Sequence, residues 1–551
     1  MFRQSQDRQM TLDDRMLNAN KQTRKAVESS KAKTVGDIVY PYVDESRFAG
    51  LFSDAGSRPN IEIKRYVSAL VLKRMYRMSD EMLIEFIRCG ALNFQYALHT
   101  TQADTQPLSE SSLRRFRRLV EAYNDEHKCD LIKEEFERIS RMMAMNMGVL
   151  YDDPNKGEDD IAPIIVRMDS MEIEAHAKAM TRIEILYTSI IIVLRYLHKK
   201  KFSDIIPDEL AHYNEEGDHN RVMYYRVEED KKAGVQDTRV AETINEMLLL
   251  QKAMEDCFAE KKLSEIPEYQ IFTRVLEEQT CLDENGKRVP KAKEDIAPTS
   301  VQNPFDETVT YRYKHGQHHG HVLNVAEACD DDGNGVIIHA TVEPNVQQDN
   351  KLAEEYIKQL PDNGPKQVVI GDGAFNGEEL EKLAAQKNVE IVTTSLTGKP
   401  VDDIFAEFVL NEENTAVLNC PKGLAPVSNK YNVKDSSITA VMPERACADC
   451  PYKGRCKANI GKKKTSVRVT GKKVARAKQA RHFSTEEGKK NACRRNGVEG
   501  IMSVMRRKYD VDHIPVFGLE RLKSWIWTTL ISYNLVKYHK YMLEKGLCET
   551  T

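Results

Sequence analysis

The chain has 551 residues, enough to bury several cores, and its length suggests two to four domains. With 41% hydrophobic and 30% charged residues it reads as ordinary globular protein, which excludes the disordered and fibrous classes. The net charge of −4 does not point to a nucleic-acid partner, so any such sign must lie in how the charge is distributed.

The opening residues, MFRQSQDRQMTLDD, lack the apolar run of a secretory leader. The most apolar run, Ile185–Leu194, is about half a bilayer span and reads as a buried helix. Eleven cysteines, several of them clustered, then argue for thiols or a metal site over structural disulfides. A cytoplasmic protein is expected, nucleoid-associated when bound to DNA.

Residues 1–34 are polar and read as a flexible arm. Residues 35–150 read as a helical N-terminal DNA-binding domain. Ile61–Met75 and Ser79–Cys89 place apolar residues at helical spacing, with Ser79 as N-cap. After the break at Pro107, Ser111–Tyr123 carries Arg114, Arg115, Arg117 and Arg118 around a stripe of Leu113, Phe116 and Val120. Such a helix suits a DNA-binding module, and a solvated basic face on a bundle helix is the other reading.

Asp152–Asp160 is a polar linker. Ile161–Met168 follows as a strand that delivers Asp169 and Ser170 at its far end. Residues 181–299 form a helical insertion with acidic stretches. Strands return at Thr308–Lys314, Gly320–Ala328 and Gly335–Val342, the last two joined by a hairpin turn over Asp330–Asn334. His315, His318, His319 and His321 straddle the turn before the second of these. A helix at Asn350–Leu360 precedes a buried strand that ends in Val368-Val369-Ile370-Gly371, followed at once by Asp372. A helix from Glu378 and a strand at Val389–Ser395 complete the region. Residues 161–180 and 300–400 thus give an α/β core, a mixed sheet flanked by helices in the strand and helix order of the ribonuclease H-like fold.

Residues 401–490 form a basic subdomain with Cys420, Cys447, Cys450 and Cys456 spaced C-x26-C-x2-C-x5-C. This spacing is compatible with four ligands to one structural Zn²⁺, or with reduced thiols in a loop-rich subdomain. Between Lys453 and Lys508 there are 19 Lys and Arg against Glu486, Glu487 and Glu499, an excess that reads as a phosphate-binding footprint. Residues 491–545 supply a helix at Ala492–Lys508, despite two glycines, and a closing amphipathic helix at Phe517–Met542.

Phosphodiester chemistry at neutral pH needs an activated nucleophile and neutralised phosphate charge. Two divalent ions about 3.5–4 Å apart supply both when carboxylates hold them. Asp169 and Asp372 at strand ends, with Glu499 on a late helix, would converge at one sheet edge. Glu520 is a competing third carboxylate, placed too late in the chain.

The stretches Val166-Arg167-Met168-Asp169-Ser170, Ile370-Gly371-Asp372-Gly373-Ala374-Phe375 and Arg495-Asn496-Gly497-Val498-Glu499-Gly500 resemble the three acidic motifs of bacterial insertion-sequence transposases of the DDE superfamily. The branch most similar has an N-terminal helical domain and a cysteine cluster before the last Glu. Its Y-x2-R-x3-E-x6-K signature is met at Arg495, Glu499 and Arg506, the last replacing Lys, while the Tyr position holds Ala492. Leu108-Ser109-Glu110-Ser111-Ser112-Leu113-Arg114-Arg115-Phe116-Arg117-Arg118 also resembles a family stretch.

The resemblance implies that Asp169, Asp372 and Glu499 are catalytic and bind Mg²⁺ or Mn²⁺. It implies phosphate contacts from Arg495 and Arg506, with Arg507 and Lys508 beside them. For His315, His318, His319 and His321 it implies a surface or DNA-backbone role over metal ligation. The partner would be double-stranded DNA, both transposon ends and target, held by a homodimer or higher oligomer and not by a membrane protein. The implied reaction is cleavage at transposon ends, followed by attack of the freed 3′-hydroxyl on target DNA. A metal-dependent nuclease or domesticated relative, and a non-catalytic zinc and DNA-binding protein, are the alternatives.

Overall fold

A computed structural model describes residues 2–5, 16, 18–53, 59–101, 106–152, 163–214, 235–314, 316–375, 377–394, 401–461 and 464–546. Its centre is a six-stranded mixed sheet: β1 (Ile164–Glu174), β2 (Thr310–Tyr313), β3 (Gln317–Cys329), β4 (Gly335–Pro344), β5 (Gln367–Gly371) and β6 (Val389–Thr393). The order is β2-β3-β1-β5-β6, and β4 pairs with β3. β1, β5 and β6 run parallel, whereas β3 is antiparallel to β1, β2 and β4. β5 is buried along its whole length, as expected of an apolar strand with parallel neighbours on both sides and helices over its faces.

The strand carrying Asp169 differs from expectation. It does not end at Met168 but runs on to Glu174. Its parallel pairing with β5 stops at Arg167↔Ile370, whereas its antiparallel pairing with β3 continues to Glu174↔Gly320. Asp169 therefore stands where β1 has lost its neighbour on one side.

The N-terminal helices and the sheet share one core. Leu70, Phe116 and Phe136 of the helices belong to the same buried cluster as Val166, Val325 and Val369 of the sheet. The link is the closing helix Leu519–Glu544, which packs on the helices Ile63–Tyr76 and Leu131–Asn146 and on β4. Its buried polar groups fix the docking. The Asn534 side chain accepts from the Ile337 N–H and donates to the Ile337 carbonyl and to Ser140, at 2.8–3.0 Å. Trp527 donates its indole N–H to Asp130 at 2.6 Å, and Ser532 donates to the Val71 carbonyl at 2.8 Å. A polar group buried this way destabilises any arrangement in which its partner is missing.

The flexible arm expected over residues 1–34 is in part ordered. Lys21–Glu28 and Lys31–Thr34 are helices capped by Asn20 and Ser30, with Ala32 fully buried and Thr34 3.0 Å from the His539 ring. The insertion has its own core around Leu186, Ile190, Met247 and Phe272. Ile185–Leu194 lies in the helix Arg182–Lys199 of that core, and no helix among the described residues is long and apolar enough to cross a membrane. A third core, around Phe405, Phe408, Ile438 and Val469, belongs to a four-stranded sheet, Ser428–Asn432, Ser437–Met442, Thr465–Thr470 and Asn459–Ile460 in that order.

Candidate active site

Asp169 and Asp372 occupy corresponding places on adjacent parallel strands. The last paired residues are Arg167 and Ile370, and two further steps along each chain reach Asp169 and Asp372. Asp372 follows β5 directly and turns the chain, its side chain accepting the Ala374 N–H at 2.8 Å. Gly371 is needed for a reason the sequence did not disclose. A Cβ there would meet the Phe375 ring at 2.7 Å, and Phe375 is 1% exposed. The glycine thus makes room for a core aromatic, not for an approaching ligand, and Phe375 closes the turn; Asn376 lies outside the described residues.

The third element is the helix Glu486–Tyr509, longer than expected, which starts where Thr485 accepts from the Gly488 N–H. It packs on β1 and β5. Buried Arg167 of β1 crosses beneath it, ion-paired to fully buried Glu327 of β3 and donating to the Arg494 carbonyl at 2.9 Å. Lys537 of the closing helix reaches the same Glu327 at 2.6 Å. A Cβ at residue 497 would lie 1.8 Å from the Arg167 guanidinium, so Gly497 is the position over which that arginine passes. This close approach accounts for a glycine inside a helix, where it otherwise costs about 1 kcal/mol.

The next residue along from Arg494 is Arg495, whose guanidinium bridges two carboxylates. It lies 3.1 Å from Asp169 and 2.9 Å from Glu499, one turn further along the helix. The Asp169 side chain is only 14% exposed, that of Glu499 61%. A fourth carboxylate, missed in the sequence, stands close by: Asp349, in the first turn of the helix Asp349–Lys358, accepts from the Ser170 hydroxyl at 2.6 Å. An Asp at a helix start is common for reasons of the helix dipole alone, so no sequence signal singles it out.

Burial pushes the Asp169 carboxyl above the usual aspartate range, and the negative charges of Asp372 and Asp349 push the same way. The Arg495 guanidinium and the Ser170 N–H oppose this without cancelling it. Hard oxygen donors crowded together so that ionisation is disfavoured are a donor set suited to a divalent cation, whose charge relieves the repulsion. As the side chains stand, no three His, Cys, Asp or Glu among the described residues are close enough to hold an ion, and Glu499 is turned to Arg495.

A family model described as a transposase DDE domain matches residues 419–539, and a second, described as a transposase domain (DUF772), matches residues 27–119. The two matches support an insertion-sequence DDE transposase. No curated protein and no solved structure matches it. The DDE match covers Arg495 and Glu499 together with the four cysteines, and stops short of Asp169 and Asp372.

The other residues singled out in the sequence lie as follows. Arg506 pairs loosely with Asp512 at 3.5 Å, Arg507 is exposed, and the Lys508 ammonium lies 5.3 Å from the Tyr509 ring. Arg114, Arg115 and Arg118 are exposed, while Arg117 is ion-paired to Asp80. Arg114, Arg117 and Arg118 line a cavity of about 710 Å³ between the N-terminal helices and the closing helix, where Arg74 lies 4.8 Å from the Trp525 ring. Glu520 lines that cavity and pairs with Lys523, away from Asp169.

The histidines do not gather. His318 pairs with Glu174 at 2.7 Å, while His321 is not on the surface, being 2% exposed and set against Thr308. His319 is half-buried, and His315 lies outside the described residues. Cys420, Cys447, Cys450 and Cys456 are free thiols lining one small cavity in the third core.

Proposed function

We propose that this transposase cuts transposon-end DNA and joins the freed 3′-hydroxyl to target DNA on a ribonuclease H-like core, acting as a homodimer or higher oligomer on its DNA. The strand order, with β1, β5 and β6 parallel and β3 and β4 antiparallel on the far side, supports that core. The single observation carrying the reading is the meeting of Asp169, Asp372 and the Arg495–Glu499 pair. They come from three segments of the chain and arrive at the open edge where β1 loses its parallel neighbour.

Asp169, Asp372 and Glu499 would hold Mg²⁺ or Mn²⁺. Ions bound there supply an activated water or 3′-hydroxyl and neutralise the charge on the phosphate. The protein's own part is positioning. β1 and β5 fix two carboxylates on a rigid sheet, and Arg167 pins the helix carrying the third. Arg495, which pairs with Asp169 and Glu499, has the planar fork that grips a phosphate. Turned to a scissile or flanking phosphate, it would leave both carboxylates free to hold a cation. Arg506, Arg507 and Lys508 extend the positive surface along the same helix, and Arg114, Arg115 and Arg118 present another on the N-terminal helices.

The test is incubation of the full chain with Mg²⁺, labelled element ends and a target plasmid. Cleaved ends and joined product are expected, and both vanish with Asp372→Asn. Cleaved ends without joined product would instead identify a nuclease, and cleavage that survives Asp372→Asn would remove the carboxylate assignment.

A further inference from the structure

Cys420 and the Cys447–Cys456 loop are separated by a strand hairpin in sequence, yet both reach the same point of the third core. Each arrives on a tight turn. At the first, the Gly423 N–H donates to the Cys420 carbonyl at 2.7 Å, and Gly423 takes the left-handed φ of 78° that closes the turn. The Cys420 N–H donates to the Leu424 carbonyl at 2.9 Å across it. At the second, the Cys450 N–H faces the Cys447 carbonyl at 3.4 Å and the Lys453 N–H the Cys450 carbonyl at 3.2 Å. The Cys456 N–H then donates to the Tyr452 carbonyl at 2.8 Å. Two cysteine-bearing tight turns that line one gap are the backbone arrangement a cysteine knuckle pair needs.

The four thiols surround a gap of about 20 Å³, closed by Phe408, Met442, Tyr452 and Val467. Cys447 and Cys456 are buried, Cys420 and Cys450 half-buried, and all four are reduced. As the side chains stand, no three of these cysteines are close enough together to hold an ion. Rotation about χ1 carries a sulfur into such a gap without moving the backbone.

We propose that Cys420, Cys447, Cys450 and Cys456 bind one structural Zn²⁺. Binding removes the four thiol protons to solvent and leaves a tetrathiolate centre with two net negative charges. Lys422 and Lys453, which line the same gap, supply the counter-charge. The need for such a staple follows from size. This core is small, and modules of this scale are commonly reinforced by a metal or disulfides. The metal would tie the Cys420 turn to the Cys447–Cys456 loop. It would thereby hold the module bearing the basic helix Gly471–Phe483, which packs against the Glu486–Tyr509 helix.

The experiment is metal analysis of the full chain, purified without chelators under mild reduction, together with thiol titration. About one zinc per chain is expected, retained in Asp372→Asn and lost in Cys420→Ser and Cys447→Ser. Cys89, Cys257, Cys281 and Cys493, all exposed, should react at once with a thiol reagent, whereas the four ligands should react only after a zinc chelator is added. Zinc below about a tenth of an equivalent would overturn the proposal. So would iron with visible absorption, or four extra thiols reacting at the fast rate with no chelator present. Because zinc content is read without DNA, its failure is distinct from a failure of cleavage.

Discussion

Two groups of potential ligands gather in this chain, and they are built on opposite principles. At the sheet edge, Asp169, Asp372, Asp349 and Glu499 crowd negative charge that burial makes costly, and an arginine stands among them. In the third core, four neutral thiols sit among apolar side chains with lysines at the margin. On the proposed readings, the first would exchange its arginine for a cation and a phosphate, and it opens to solvent through Glu499. The second would exchange four thiol protons for one zinc ion, with lysines beside it.

The largest expected effect separates the two outright. Asp169→Asn or Asp372→Asn should lower cleavage of labelled element ends by at least about 10³-fold while zinc content stays constant. Cleavage within tenfold of wild type would erase the distinction. Next comes the support beneath the site. Gly497→Ala forces the Arg167 guanidinium aside and leaves buried Glu327 with Lys537 as its remaining cation, which should cost about 3 kcal/mol, read as a lower denaturant midpoint. Cys447→Ser should lower the thermal midpoint by about 5 °C and weaken cleavage only in proportion to lost fold.

Smaller effects probe the charge balance at the edge. Arg495 lowers the Asp169 pKa, so Arg495→Gln should move the acidic limb of the cleavage–pH profile to higher pH. A limb that stays in place would mean that Asp169 does not feel that arginine. The subtlest is a stabilisation. The folded Asp169 carboxyl titrates above its ordinary value of 3.8, so its contribution to stability is lost as pH rises through that raised range. Asp169→Asn, which cannot ionise, should therefore melt slightly higher than wild type at pH 7, and the gain should vanish below the ordinary aspartate value. Calorimetry at the two pH values reads it.

Much of the sheet was legible because parallel strands buried on both faces write themselves as runs such as Val368-Val369-Ile370, and the helix from Asp80 carried its cap, Ser79. The expectation for the three carboxylates came from their motifs. Other features depend on contacts that no local pattern encodes. The glycines at 371 and 497 answer to Phe375 and Arg167, residues whose positions only the fold supplies. Asp349 looks like any helix-start aspartate until Ser170 is beside it. The residues before position 35 look too polar to fold, yet Ala32 and Thr34 are covered by the far end of the chain. The apolar faces of the N-terminal helices are likewise completed from far along the chain, by Trp527, Leu530 and Ile531.

The position of the closing helix in the chain has a consequence for biosynthesis. Leu519–Glu544 is the last helix of the described structure to leave the ribosome, and it fills the space between the N-terminal helices and β4. Domains otherwise tend to fold as they emerge, N-terminal first. Here the earliest-made helices must wait for the latest-made one before their core is complete. The insertion and the cysteine module, each with a private core, are free to fold while translation continues. A chain truncated before residue 519 should accordingly yield two folded islands in an otherwise open polypeptide, with Asp169, Asp372 and Glu499 not brought together.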